Sequence, residues 1–238
     1  MNPAWELVHL LGTMKDESGK VLVEGFHEKV AQPTEEMRRL LALIPLRREE
    51  IAMDLGLPLS EIPEAEEFYR KLMTQPTMNI CGLSSGYTGK GMKTVLPSTA
   101  SVKLDMRLVP DQEPDEIFTK IENHIKSYGK NIEVTRLGSM RPSRTPIENP
   151  FTAPMVEAVR DATKMEPIIY PSLGASLPDY VFTHVLGIPS ILVPYANADE
   201  SNHAPNENIR VENFMLGVKC CASVLQRIST INRPATRF

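Results

Sequence analysis

Apolar side chains recur at helical spacing from the start of the chain, at Ala4, Leu7, Val8, Leu11 and Met14. They stand behind Asn2, which can cap, and Pro3, which suits a first helical position. A turn over residues 16–19 leads into 20–26, where Val21 and Val23 share one side of a short predicted strand. Residues 33–76 change character: charge and helix formers dominate, from Glu35 and Arg38 to Glu50, interrupted by Pro45, Pro58 and Pro63. This reads as a helical excursion from a sheet, with solvated charged faces. Period-two patterning returns in 77–83 and 101–109, separated by a turn through Gly86, Gly89 and Gly91. In the second run Val102, Leu104, Met106 and Leu108 alternate with Lys103, Asp105 and Arg107, which predicts one buried and one polar face. After Pro114, Ile117, Phe118, Ile121 and Ile125 predict an amphipathic helix, and 131–137 a returning strand.

That order of elements predicts an antiparallel sheet with helices on one face, an α+β sandwich, whose first strand would precede Pro3. Pro142, Pro146 and Pro150 mark a linker, and a domain boundary near Asn149 divides the chain into 1–148 and 149–238. The second part changes to an α/β pattern, with a helix over 150–164, a short apolar run at 168–170, a Ser/Gly loop and a helix near 180–186. Ile191, Leu192 and Val193 then predict a strand buried on both faces, and a final helix places Val211, Phe214, Met215, Val218, Ala222 and Leu225 on one side. Residues 149–238 are too few for a complete doubly wound sheet. The expected class is therefore α/β overall, an α+β sandwich followed by an incomplete α/β domain.

Composition narrows the function. At 42% hydrophobic residues the chain can build a core, and a formal net charge of −4 without a Lys/Arg run argues against nucleic acid. No apolar stretch approaches the roughly 18 residues of a membrane span. Glu6, Lys15, Asp16 and Glu17 interrupt the first residues, so a cytoplasmic protein is expected. Three cysteines, two of them adjacent at Cys220 and Cys221, suggest neither a disulfide framework nor a thiolate metal site.

The candidate chemistry lies in four short stretches. Asp199-Glu200-Ser201-Asn202-His203-Ala204-Pro205-Asn206-Glu207 falls between a predicted buried strand and a helix, where open α/β sheets place ligands. Lys93-Thr94-Val95-Leu96-Pro97, Asp105-Met106-Arg107-Leu108-Val109-Pro110 and Gly174-Ala175-Ser176-Leu177-Pro178 are the others. Read alone, Arg107 is a charge on an exposed strand face and His203 a loop histidine. His9, His27, His124 and His184 have no such context and are expected to be structural or surface residues. Asp199 and Glu200 are expected to serve loop hydrogen bonding.

Taken together and in order, these stretches resemble the dizinc amidohydrolase and exopeptidase family of acetylornithine deacetylase, succinyl-diaminopimelate desuccinylase, glutamate carboxypeptidase, aminoacylase and carnosinase. The carnosinase-like dipeptidase branch is the nearest in kind. The chain resembles that family's lid, or dimerisation, domain with a helical insertion at about 33–76, followed by the C-terminal portion of the catalytic domain. The resemblance implies that His203 is a zinc ligand, with manganese or cobalt as other metals such a site takes. It implies that Arg107 clamps a substrate carboxylate, and that Thr94, Gly174 and Ser176 contribute to substrate binding. Thr94 stands where the lid motif usually has Asn. The H-x-D motif, the bridging Asp, the Glu pair with the general base and the lid's H-S-G are not among these residues. No catalytic residue is therefore assigned to this chain, and the isolated polypeptide is expected to be inactive. The resemblance further implies peptide or N-acyl amino acid substrates and a homodimer through the lid sheet. Two readings stand: part of a metal-dependent amide hydrolase, or a non-catalytic dimerisation module derived from one.

Overall fold

A computed structural model describes residues 2–129, 131–197 and 199–231. Helix α1 spans Pro3–Met14; the Asn2 side chain caps it by accepting from the Ala4 amide at 3.0 Å, and Pro3 occupies the first turn. The insertion forms α2 (Glu35–Leu43), α3 (Arg48–Leu55), a 3₁₀ turn at Leu59–Glu61 and α4 (Ala65–Thr74). Then come strands β1 (Thr77–Ser85) and β2 (Ala100–Arg107) and helix α5 (Pro114–Tyr128). Helix α6 (Thr152–Thr163), a π-helical turn (Val181–Val185) and α7 (Val211–Thr230) complete the order.

β1 and β2 are antiparallel, running in register from Thr77 opposite Arg107 to Ser85 opposite Ala100, with an irregularity between Ile80 and Gly82. Helices α1 and α5 cover one face. Leu10, Met14, Val21, Val23, Phe26, Met78, Ile117, Ile121 and Ile125 form the core there, and Leu104, Met106, Ile132 and Val134 pack against it. Helices on one face of an antiparallel pair are what the α+β reading predicts. On α1 the buried residues are Leu7, Leu10 and Met14, while Val8 is half exposed, so the helix is rotated slightly from the expected stripe. The insertion has its own small core of Leu41, Ile44, Tyr69 and Met73.

Three expected strands do not carry ladders among the described residues. Over 20–26, Val21 and Val23 are buried as the alternation requires, but pairing stops at a single bridge between Lys15 and Val21. The chain then turns through Gly25 at φ 73°, with the Phe26 amide donating to the Val23 carbonyl. Residues 131–137 contribute Ile132 and Val134 to the core without a backbone partner. They and β2 line one cleft, and no ladder bridges it. Ile191 and Leu192 are exposed rather than buried on both faces, and no strand forms there.

The predicted helix near 180–186 is the short π-helical turn. Helix α7 buries Gly217 and Cys220, whereas Val211, Phe214, Met215, Val218 and Leu225 all face solvent. A Cβ on Gly217 would lie 2.9 Å from the Tyr195 ring, so glycine allows that ring onto the helix. Arg227 ties α7 to α6 through Glu157 at 3.2 Å and Asp161 at 2.6 Å.

Candidate functional site

Arg107 ends β2 on its exposed, polar side, as the alternation predicts. Beyond it Val109 turns the chain: its amide donates to Gln112 Oε1 at 3.0 Å, while Gln112 Nε2 donates to the Phe26 carbonyl at 2.7 Å. The buried Gln112 therefore fixes the strand exit to the core. Arg107 opens onto a cleft of about 1740 Å³ bounded by β2, residues 132–147, the loop at 165–177 and the end of α4.

Across this cleft the Arg107 Nη1 donates to Ser176 Oγ, while its Nε donates to Asp105 Oδ2 at 2.8 Å. Arg107 and Ser176 are 69 residues apart in sequence, so the fold has brought two expected site residues together. Gly174 lies in the same loop and also lines the cleft. It packs against α4 so closely that a Cβ there would lie 2.7 Å from Leu72 Cδ1 and 3.2 Å from the Leu72 carbonyl oxygen. The electrostatics are local: Asp105 offsets and orients the guanidinium, and Nη2 forms no hydrogen bond among the described residues.

Thr94 and His203 lie elsewhere. Thr94 sits in the exposed connection beyond the Ser85–Ala100 end of the hairpin, whereas Arg107 is at its opposite end. Eight strand residues span about 25 Å, which separates that end of the hairpin from Arg107. His203 is exposed, at φ 58°, in a loop with two further left-handed non-glycine residues, Ser201 and Asn206. The loop is built around buried Asn197, which donates to Asp199 Oδ1 at 2.8 Å and accepts from the Arg210 amide at 3.0 Å. Asp199 also pairs with Arg210 at 2.7 Å, and these hydrogen bonds hold its carboxyl below the usual carboxylate range. Asp199 is thus engaged in loop structure. Among the described residues, no three His, Cys, Asp or Glu side chains converge as a metal-binding group.

Three of the other four histidines have structural partners, and His184 lies in the π-helical turn. His27 Nε2 lies 3.2 Å from the Val21 carbonyl, His124 Nε2 lies 2.9 Å from Thr13 Oγ1, and the His9 ring packs on Trp5. The residues that motif reading misses are Leu72, against which Gly174 packs, and Tyr170, whose ring stands edge-on to Tyr69. Their signal in the sequence is only an apolar residue near the end of a helix and an aromatic in a short run.

The peptidase dimerisation domain of the M20 type matches residues 1–133. The chain belongs to this family. Over the whole length, the Cys-Gly metallodipeptidase DUG1 of Saccharomyces cerevisiae is 28% identical over 239 residues, covering 95% of this M20 chain and 48% of the relative. The M20 family metallo-carboxypeptidase Sso-CP2 of Sulfolobus solfataricus superposes with a TM-score of 0.91 at 33% identity, covering 97% of this chain and 53% of that one. Human carnosine dipeptidase 1 superposes at 0.79 with 25% identity, over 97% and 50% of the two chains. This M20 chain thus spans about half the length of the relatives it matches. None of its described helices is long and apolar enough to cross a membrane.

Proposed function

We propose that the chain is the dimerisation lid, residues 1–148, and the C-terminal catalytic portion, 149–238, of a metal-dependent hydrolase. Its substrates would be small amides or peptides with a free carboxylate, dipeptides or N-acyl amino acids. The observation that carries this reading is the Arg107–Ser176 hydrogen bond across the cleft. With Nε held by Asp105 and Nη1 by Ser176, the guanidinium has Nη2 left to donate, and a hydroxyl that accepts from arginine keeps its own proton to donate. The pair therefore offers a guanidinium and a hydroxyl donor at one point of the cleft, and a carboxylate that accepts from the guanidinium gains a charge-assisted bond. Anchoring that end of the substrate leaves the scissile amide to be presented to the metal.

His203 fits one place in a zinc site: an exposed imidazole on a polar loop, available through either ring nitrogen. It does not make a site by itself, since catalytic zinc takes about three protein ligands. The other ligands and the general base are proposed to come from polypeptide outside these 238 residues. When bound, the metal supplies Lewis-acid polarisation of the scissile carbonyl. The exposed apolar face of α7, with Phe214 58% and Leu225 71% accessible, supports a covering partner of that kind.

The dimer is proposed to form along β1, which has β2 as its single ladder partner among the described residues and whose Ile80 and Leu83 are exposed. In such a dimer Thr94 would serve the partner's site. A cytoplasmic location is proposed. The non-catalytic alternative draws on the dimerisation-domain match, and activity separates the two.

Joined to a ligand-bearing N-terminal half, the chain is expected to give zinc-dependent dipeptide hydrolysis that collapses in His203→Ala. Elemental mass spectrometry should show zinc lost in parallel. Full activity and zinc content in His203→Ala would sink the ligand assignment, and absence of hydrolysis in the joined wild type would favour the non-catalytic module.

A further inference from the structure

We propose that Tyr69 and Leu72 of the helical insertion are positioning residues that hold the 170–177 loop so that Ser176 stands against Arg107. This rests on the reading of Arg107 and Ser176 as a carboxylate cradle, and it gives the insertion a part in substrate selection. Helix α4 ends at Thr74, and three residues later the chain enters β1 at Thr77, the register partner of Arg107. Leu72 and Arg107 thus belong to one stiff piece, joined by a short connection and a strand ladder. The loop touches that piece at three points.

Before the loop, the Tyr170 ring stands edge-on to Tyr69, with centroids 5.9 Å apart and planes at 87°. Tyr69 is itself immobilised. It is 8% exposed, and its hydroxyl donates to the Pro45 carbonyl at 2.8 Å. Within the loop, Gly174 approaches both the side chain and the backbone oxygen of Leu72. Two residues later Ser176 accepts from Arg107. Two extended residues span at most about 7 Å, so a shift at 174 has little chain over which to be absorbed before 176. A hydrogen bond does not survive much stretching beyond about 3.2 Å.

Burial alone does not account for these contacts. Leu72 is 48% exposed and Tyr170 45%, so the contact sequesters little apolar surface beyond the touching edges. A side chain at 174 would be accommodated anywhere else on such an open surface. Here it meets α4, whose end leads into the strand paired with Arg107. The insertion therefore acts as a bearing that sets the distance between two donors on opposite sides of the cleft.

The test uses the 238-residue chain with glycylglycine as the probe. Amide exchange over 170–177 is read by mass spectrometry, and affinity by NMR titration of the Arg107 side chain. Gly174→Ala should raise exchange across the loop and weaken the probe about tenfold, a loss of ~1.4 kcal/mol. Adding Leu72→Ala makes room for the new methyl and should recover most of both losses, whereas independent destabilisations would add. Tyr69→Ala should loosen the loop and weaken the probe, and Tyr69→Phe, which keeps the ring but loses the bond to Pro45, should restore most of both.

Additive losses in the double variant, or a looser loop with unchanged affinity, would overturn the proposal. If Gly174→Ala does not fold, Leu72→Ala and Tyr69→Ala decide by the same two readouts. A folded wild type that binds no glycylglycine, with exchange changes still cancelling in the double variant, would instead overturn the carboxylate cradle and uphold the docking of loop on helix.

Discussion

The two parts of this chain treat their apolar residues in opposite ways. In the first, Leu10, Met14, Phe26, Met78, Ile117 and Ile121 close on one another to within a few per cent exposure. In the second, the buried apolar side chains among the described residues are Met155, Ala158, Pro171 and Cys220, while Val211, Phe214, Met215, Val218 and Leu225 on α7 stand in water. Both parts carry equally clear amphipathic patterns, so the difference is not in the quality of the sequence signal. On the proposed reading, it lies in whether the complementary surface is part of these 238 residues. An α+β layer needs only its own helices to cover a sheet face, whereas an α/β layer needs strands and helices on both faces.

The largest expected effect follows in the closed core. Ile121→Ala should cost about 3 kcal/mol, the lost transfer free energy plus a cavity, read as a shift in urea midpoint at constant slope. A loss under about 1 kcal/mol would mean that the core relaxes around the hole, and the contrast with the second part would weaken. Next comes the cleft between the parts. In the proposed assembled hydrolase, Arg107→Ala should lower kcat/KM for substrates with a free carboxylate by roughly ten- to a hundredfold, the loss of one charge-assisted pairing. Substrates whose carboxylate is esterified should lose little, and an equal loss on both would contradict the clamp.

Much of the first part is legible in the sequence because its elements satisfy local rules that tertiary contacts do not override. Asn2 and Pro3 start α1, the alternation from Val102 to Leu108 sets the faces of β2, and Ile117, Ile121 and Ile125 set the face of α5. The strands predicted at 20–26 and 131–137 fail because period two reports which side chains are buried, not whether the backbone is paired. Val21, Val23, Ile132 and Val134 are all in the core, yet only Val21 makes a bridge. On α7 the stripe is apolar as predicted, but the face that is buried here runs through Gly217 and Cys220 instead. The candidate site is legible as separate motifs. That Arg107 and Ser176 meet, while Thr94 lies at the far end of the hairpin, depends on register and on the path of a loop, which no local pattern encodes.

A smaller effect probes the insertion, which has a core of its own but little beyond it. Tyr69→Phe should cost ~1 kcal/mol through the orphaned Pro45 carbonyl. Burial pushes the Tyr69 phenol up from 10.0 to about 12, aided by the neighbouring Tyr170. The folded state then keeps a proton that the unfolded chain releases, so this contribution is full below about pH 10 and falls as pH rises toward 12. Stability curves of wild type and Tyr69→Phe should converge over that window. Parallel curves there would show that Tyr69 ionises as freely folded as unfolded.

The smallest expected effect is the sharpest test of the contrast. Phe214 is large and apolar but 58% exposed, so Phe214→Ala removes little buried surface in this chain and should change its stability by no more than about 0.5 kcal/mol. The same substitution in an assembly where α7 is covered should cost several times more, because the ring would then leave a cavity. Measuring both separates two reasons for an apolar stripe. A cost in the isolated chain comparable to that of Ile121→Ala would show that α7 is already covered in solution, by self-association that sedimentation at two concentrations would reveal. A negligible cost in both settings would mean that the face is not an interface, and the proposed covering half would have to dock elsewhere. The expected pair, little alone and a large loss when assembled, follows only if the second part keeps its pattern for a partner surface.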